Sequence, residues 1–196
     1  MTSPPKQEPP KQEPPKQEPP KQEAPKQDPG PTAVLIGPPG AGKSTVGPLL
    51  AARLGRPFRD TDADVEAAAG QPVSDIFIER GEQAFRDLER AAAATALREH
   101  EGVLALGSGA VLDPAVQQLL DGLPVVYLAA GFGTIARRIG LDRPGVLVPG
   151  NPRGRLRAML EERRPLYERL AVLTVGADDG DPDELAAEIT AKLASR

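Results

Sequence analysis

The segment that most restricts this 196-residue chain is Gly37-Pro38-Pro39-Gly40-Ala41-Gly42-Lys43-Ser44-Thr45, which follows the apolar run Ala33–Ile36 and opens a helical pattern near Gly42. It satisfies G-x-x-x-x-G-K-[ST] with a strand before it and a helix after it, the context in which that pattern builds a phosphate cradle. Glycines let the backbone turn so that successive N–H groups face inward, and the following helix brings the positive end of its dipole to the same place. Gly40, Ala41, Gly42, Lys43, Ser44 and Thr45 are therefore candidate ATP contacts. Lys43 supplies a cation for the β- and γ-phosphate oxygens, and Ser44 a hydroxyl for Mg2+.

From Thr32 onward, short apolar runs alternate with longer helical patterns, as expected of βα units around a parallel sheet. Strands are expected at Ala33–Ile36, Pro57–Arg59, Val103–Leu106, Val125–Leu128 and Val172–Val175. Helices are expected to start near Gly42, Asp62, Ser74, Ala84, Pro114, Phe132, Arg153 and Pro182, the last capped by Asp181. The pattern reads as one three-layer α/β domain over residues 31–196. Residues 1–30 differ: Pro-Pro-Lys-Gln-Glu recurs four times from Pro4 to Glu23, followed by a degenerate copy, Ala24-Pro25-Lys26-Gln27-Asp28. Its prolines favour extended polyproline II, its charges balance, and it has almost no apolar side chain with which to bury a core. It is read as a disordered, solvated tail.

A formal net charge of -4 argues against a general nucleic-acid binder, so no nucleic-acid partner is expected. The absence of cysteine excludes a disulfide, a thiolate zinc site and a Cys nucleophile. The apolar runs are too short to cross a bilayer and the start of the chain lacks an apolar signal core, so no membrane association and a cytoplasmic location are expected.

No Asn-Lys-x-Asp segment is present, which counts against a guanine-specific switch protein. The third strand runs into Leu104-Ala105-Leu106-Gly107-Ser108-Gly109 without a carboxylate, which counts against a motor ATPase. The acids stand instead after the second strand, in Asp60-Thr61-Asp62. On an extended stretch, residues two apart project to one side, so both carboxylates are expected above the C-terminal edge of the sheet, where such folds bind ligands. One acid can hold hydrated Mg2+ while the other accepts hydrogen bonds from a substrate hydroxyl.

Asp60-Thr61-Asp62, Gly81-Glu82-Gln83-Ala84-Phe85-Arg86-Asp87-Leu88-Glu89, Gly107-Ser108-Gly109-Ala110-Val111 and Arg163-Arg164-Pro165-Leu166-Tyr167 resemble, in order and spacing, the shikimate kinase family. The resemblance runs from about Ala33 to the C-terminus. It implies a P-loop kinase fold with a five-stranded parallel sheet in the order 2-3-1-4-5, and transfer of the γ-phosphate of ATP to the 3-hydroxyl of shikimate with Mg2+. Residue by residue, it implies that Asp60 holds the metal through water together with Ser44, and that Asp62 grips substrate hydroxyls and is the candidate base. Arg86 is implied to pair with the substrate carboxylate, oriented by Glu89. Arg163 aligns with a second carboxylate-binding arginine, with Arg164 one register away. Gly107 and Ser108 are implied to offer backbone N–H groups to the substrate, with Gly109 closing the loop. Ser108 replaces a glycine usual in the family, and is expected to adopt negative φ with its hydroxyl capping a nearby group.

Residues 137–152, rich in glycine and proline yet carrying Arg137, Arg138 and Arg143, suit a lid over bound nucleotide. By resemblance Arg143 is the catalytic lid cation and Arg138 approaches the nucleotide, while the loop from Ala177 to Pro182 occupies the position of the adenine-binding loop. Lys43, Asp62 and Arg143 form the expected catalytic set, in a chain expected to work as a monomer. His100 closes a helix and is expected to be exposed. The competing readings are a related kinase acting on gluconate or a nucleoside monophosphate, and a non-catalytic ATP-binding protein.

Overall fold

Alternate side chains of β1 (Ala33–Ile36) enter two different cores, one on each face of the sheet. The computed structural model describes residues 30–142, 150–178 and 180–195. After β1 come α1 (Lys43–Leu54), β2 (Phe58–Asp60), α2 (Thr61–Ala69), α3 (Val73–Glu99), β3 (Val103–Ala105), a single 3-10 turn at Ala110–Leu112, α4 (Pro114–Leu120), β4 (Val125–Ala129), α5 (Phe132–Arg138), α6 (Pro152–Leu170), β5 (Leu173–Gly176) and α7 (Pro182–Ala194). All pairings are parallel and the strand order is 2-3-1-4-5, as the resemblance implied. Residues 1–29 of the expected tail and 143–149 of the expected lid, Arg143 among them, lie outside the described residues.

Ala33 and Leu35 pack with Val46 and Leu50 of α1, Ile135 of α5 and Ile189 of α7. Val34 and Ile36 pack on the opposite face with Ala93 and Leu97 of α3, Val116 of α4 and Tyr167 of α6. Burial on both faces is why β1 is a continuous apolar run instead of an alternating one. Each fully buried Leu or Ile in this layer contributes about 1.5–3 kcal/mol through removal of apolar area from water. A third, smaller cluster of Val65, Ile76 and Phe85 holds α2 against α3.

The helix starts follow local chemistry. Asp113, Asn151 and Asp181 each accept backbone N–H groups ahead of a proline in the first turn. The two helices expected from near Ser74 and Ala84 form one run, α3, broken at Gly81 (φ 80°, ψ 170°). No atom lies within 4 Å of where a Cβ at Gly81 would sit, so backbone conformation and not crowding calls for glycine there. β2 ends one residue later than expected, at Asp60, and α2 starts immediately after it, which changes the geometry of the acids described below. His100 is the C-cap of α3 and lies against the carbonyl of Val103, half-buried instead of exposed.

Candidate active site

At the C-terminal edge of β1 the backbone turns through Gly40 (φ 76°) and Gly42 (φ 103°), both in the left-handed region open to glycine. Gly42 is the N-cap of α1, so the orphan N–H groups and the positive dipole end of that helix face the loop. Lys43 is only 8% exposed, and its Nζ donates to the carbonyls of Gly37 (2.9 Å) and Pro38 (3.2 Å). Burial pushes its pKa down, opposed by the nearby charges of Asp62, Asp60 and Glu89. Arg138, at the end of α5, donates to the carbonyls of Gly40 (3.1 Å) and Ala41 (3.3 Å), so a second cation is tied to the loop.

Ser44 Oγ donates to Asp60 Oδ2 at 2.6 Å. Asp60 also caps α2, its Oδ1 accepting the N–H of Asp62 at 3.0 Å. This corrects the expectation that both acids project from one extended stretch: Asp60 ends the strand, Asp62 lies in the first helical turn, and the cap brings them together. Burial and then the charge of Asp60 push the Asp62 pKa up to about 6, with Lys43 pulling the other way.

Arg86 and Glu89 face each other across one turn of α3, with Nη1 to Oε2 at 2.6 Å, and Glu89 is 2% exposed. The other Glu89 oxygen accepts the N–H of Gly109 at 3.0 Å. A Cβ on Gly107 would stand 2.6 Å from Glu89 Oε1 and 2.7 Å from Asp62 Oδ1, and one on Gly109 would meet the Arg86 guanidinium. Neither glycine has positive φ, so close approach of charged side chains is what excludes a larger residue. The N–H of Gly107 is held by Thr61 Oγ1 at 2.8 Å, which corrects the expectation that Gly107 offers that group to a substrate.

Ser108 between them does not have positive φ, as expected, but its hydroxyl makes no hydrogen bond among the described residues, so the expected capping bond is not made. The Ser108 carbonyl accepts from Tyr167 Oη at 2.8 Å, and Arg163 Nη1 lies 3.5 Å from the same oxygen. Arg164 is exposed.

The phosphate loop, Arg138, Asp62 and Ser108 line one open cleft of about 650 Å3, while Arg86, Glu89 and Gly109 line a second, smaller one of about 230 Å3. Residues 39–46 and Arg138 line the larger cleft together with Asp62, Ser108, Ala177, Pro182 and Glu184. Thr61 and Tyr167 are contacts to which sequence reasoning gave no role, although both lie inside segments it singled out. Among the described residues no three His, Cys, Asp or Glu side chains cluster as a metal cage. The Ser44 and Asp60 oxygens beside the cradle fit Mg2+, which favours oxygen donors, keeps several waters and takes its remaining ligands from phosphate. No helix among the described residues is long and apolar enough to cross a membrane.

A cleft that holds a phosphate cradle and the Asp62 carboxylate, with the Arg86–Glu89 pair against the same Gly107–Gly109 loop, brings a nucleoside triphosphate to a small polar acceptor, the work of a P-loop small-molecule kinase. A shikimate kinase family model matches residues 39–194, and the chain belongs to the shikimate kinase family. A shikimate kinase of Thermobifida fusca is 55% identical over 162 residues, covering 83% of this chain and 94% of that protein. One of Salinispora arenicola is 50% identical over 165 residues, covering 84% and 99%. Among solved structures, shikimate kinase from Acinetobacter baumannii in complex with shikimate superposes with a TM-score of 0.77 at 34% identity, covering 86% of this chain and 95% of that one. A gluconokinase from Sinorhizobium meliloti, at 24% identity and TM-score 0.54, shares the fold alone.

Proposed function

We propose that the protein transfers the γ-phosphate of ATP to the 3-hydroxyl of shikimate, giving ADP and shikimate 3-phosphate for aromatic amino acid biosynthesis. The observation that carries this reading is the convergence of Arg86, Arg163 and Asp62 on the Gly107–Gly109 loop, whose Ser108 lines the same cleft as Lys43 and Asp62. Shikimate is a polyol with one carboxylate. Guanidinium forks suit its acid and a buried carboxylate suits its hydroxyls.

In this reading the acceptor oxygen forms a bond to the γ-phosphorus as the bond from that phosphorus to the β,γ-bridging oxygen breaks, and ADP leaves with the electron pair. The hydroxyl proton passes to Asp62, whose raised pKa suits it to accept at neutral pH while remaining mostly ionised. Lys43 and Arg138 neutralise phosphate charge, and Arg143, outside the described residues, adds a cation at the transferring group. Ser44 and Asp60 would hold Mg2+, the latter through water, and the bound ion would neutralise charge on the phosphate oxygens. Catalysis then rests on alignment and charge neutralisation. ATP supply favours the cytoplasm as the compartment, and one chain carries every group named, which supports a monomer as the working unit.

The test is a coupled ADP-release assay offering shikimate, gluconate and AMP separately, with Mg2+ and with chelator. Turnover with shikimate alone, abolished by chelator, is expected. Equal turnover with gluconate or AMP would overturn the acceptor assignment, and no turnover with any acceptor would favour a non-catalytic nucleotide-binding role.

A further inference from the structure

Gly107, Ser108 and Gly109 carry six backbone polar groups, and five are engaged within the protein. Besides the N–H bonds of Gly107 to Thr61 and of Gly109 to Glu89 and the bond that the Ser108 carbonyl accepts from Tyr167, the Gly107 carbonyl accepts from the N–H of Ala110 (3.1 Å) and the Gly109 carbonyl from that of Leu112 (2.9 Å). The Ser108 N–H has no partner among the described residues, and Ser108 lines the cleft. The Ser108 carbonyl and the Gly109 N–H belong to a single peptide unit, which resonance keeps planar. Tyr167 and Glu89 therefore grip opposite ends of one rigid plate.

Each grip is coupled to a guanidinium. Glu89 holds Arg86 three residues earlier on α3, and Tyr167 follows Arg163 by one turn of α6, with Arg163 at 3.5 Å from the same carbonyl. The Tyr167 ring is 1% exposed and stacks on Tyr127 with centroids 5.1 Å apart and planes 18° from parallel, which leaves its hydroxyl little freedom.

We infer that Tyr167 is a positioning residue for the acceptor: through the Ser108–Gly109 peptide it fixes the stance of Arg163 relative to Arg86. This rests on the reading of that pocket as the shikimate site. The plain alternative is a core aromatic whose hydroxyl happens to be satisfied. In that case removing the oxygen lowers stability a little and changes no affinity.

Tyr167→Phe keeps the ring and its stacking and deletes only the donor. On the full chain, with each substrate varied at saturating levels of the other, the KM for shikimate is expected to rise roughly fivefold, the size of one neutral hydrogen bond. The KM for ATP should stay within about 1.5-fold. A shikimate KM unchanged, or both KM values rising together, would overturn the proposal. A second measurement needs no turnover: amide hydrogen exchange at Gly109 in the ligand-free chain should quicken in Tyr167→Phe and not in Tyr127→Phe. Equal protection of Gly109 in the two variants would overturn the clamp. If the parent chain failed to phosphorylate shikimate, the acceptor reading would fall, and the exchange measurement alone would decide whether the peptide is clamped.

Discussion

Ser44 Oγ donates to Asp60 Oδ2 at 2.6 Å, joining the first turn of α1 to the last residue of β2 across 16 residues of sequence. The carboxylate thus stands beside the phosphate cradle, on the only hydroxyl of the motif that the chemistry assigns to the metal. Asp60→Asn keeps the size and the capping oxygen but loses the charge. Its kcat should fall at least about 100-fold, as expected when charge stabilisation of a transition state is removed. Its melting temperature should stay within about 3 °C of the parent's. Coupled ADP release and thermal denaturation check both; activity within threefold of the parent contradicts the assignment.

At Gly109 the backbone (φ -98°, ψ -14°) suits any residue, so an alanine there acts through space alone. Its methyl would meet the Arg86 guanidinium and stand 2.8 Å from Glu89 Oε2. Gly109→Ala should therefore raise the KM for shikimate at least about tenfold, the size of losing a charge-assisted hydrogen bond, with little effect on that for ATP. Titration calorimetry with each ligand separates the two. Equal weakening of ATP would place Arg86 on the nucleotide side or in the fold.

Ser108 sits where close approach excludes its neighbours from carrying a side chain, yet its own backbone is not in the left-handed region. Ser108→Gly should change the shikimate KM by less than about threefold and destabilise the fold by roughly 0.5–1 kcal/mol, because glycine gains freedom when unfolded. Steady-state kinetics and urea denaturation test this. A tenfold drop in KM would mean that the hydroxymethyl group crowds the acceptor.

The raised pKa of Asp62 has a definite sign in stability. Its folded value of about 6 lies above the ordinary 3.8, so the native state holds this proton more tightly than the unfolded chain. The stabilisation is full below about pH 4 and is lost as pH rises through about 6. In metal-free buffer at pH 7–8, Asp62→Asn should be more stable than the parent by up to about 3 kcal/mol, from about 1.4 kcal/mol per pKa unit. The two should converge below about pH 4, and the variant should lose kcat. Urea denaturation across the pH range measures the difference. A less stable Asn variant at pH 7–8 would show that the Asp62 carboxylate contributes a net favourable contact.

The β1 run, the glycines of the loop and the cap residue Asp181 were legible because each acts within a few residues of itself. The junction at Asp60 was misjudged because the same residue can end a strand and cap a helix, and only the pairing of Asp60 opposite Ala105 decides where the strand stops. The placement of Arg163 beside Ser108, with Arg164 left exposed, was open in sequence. It follows from which face of α6 the buried Leu156, Leu160 and Tyr167 turn inward.

By itself, then, the sequence determined the phosphate loop and the order of strands and helices around it, because backbone freedom, capping and apolar periodicity are local properties, while the residues of the acceptor pocket were implied by resemblance to the family. Tertiary structure alone decided that Thr61 holds Gly107, that Glu89 holds Gly109 and that Tyr167 holds Ser108, across separations of 46, 20 and 59 residues. Such bonds have no local signature. They form only when packing of α3 and α6 on the sheet brings buried polar groups within reach of backbone that would otherwise be left unpaired.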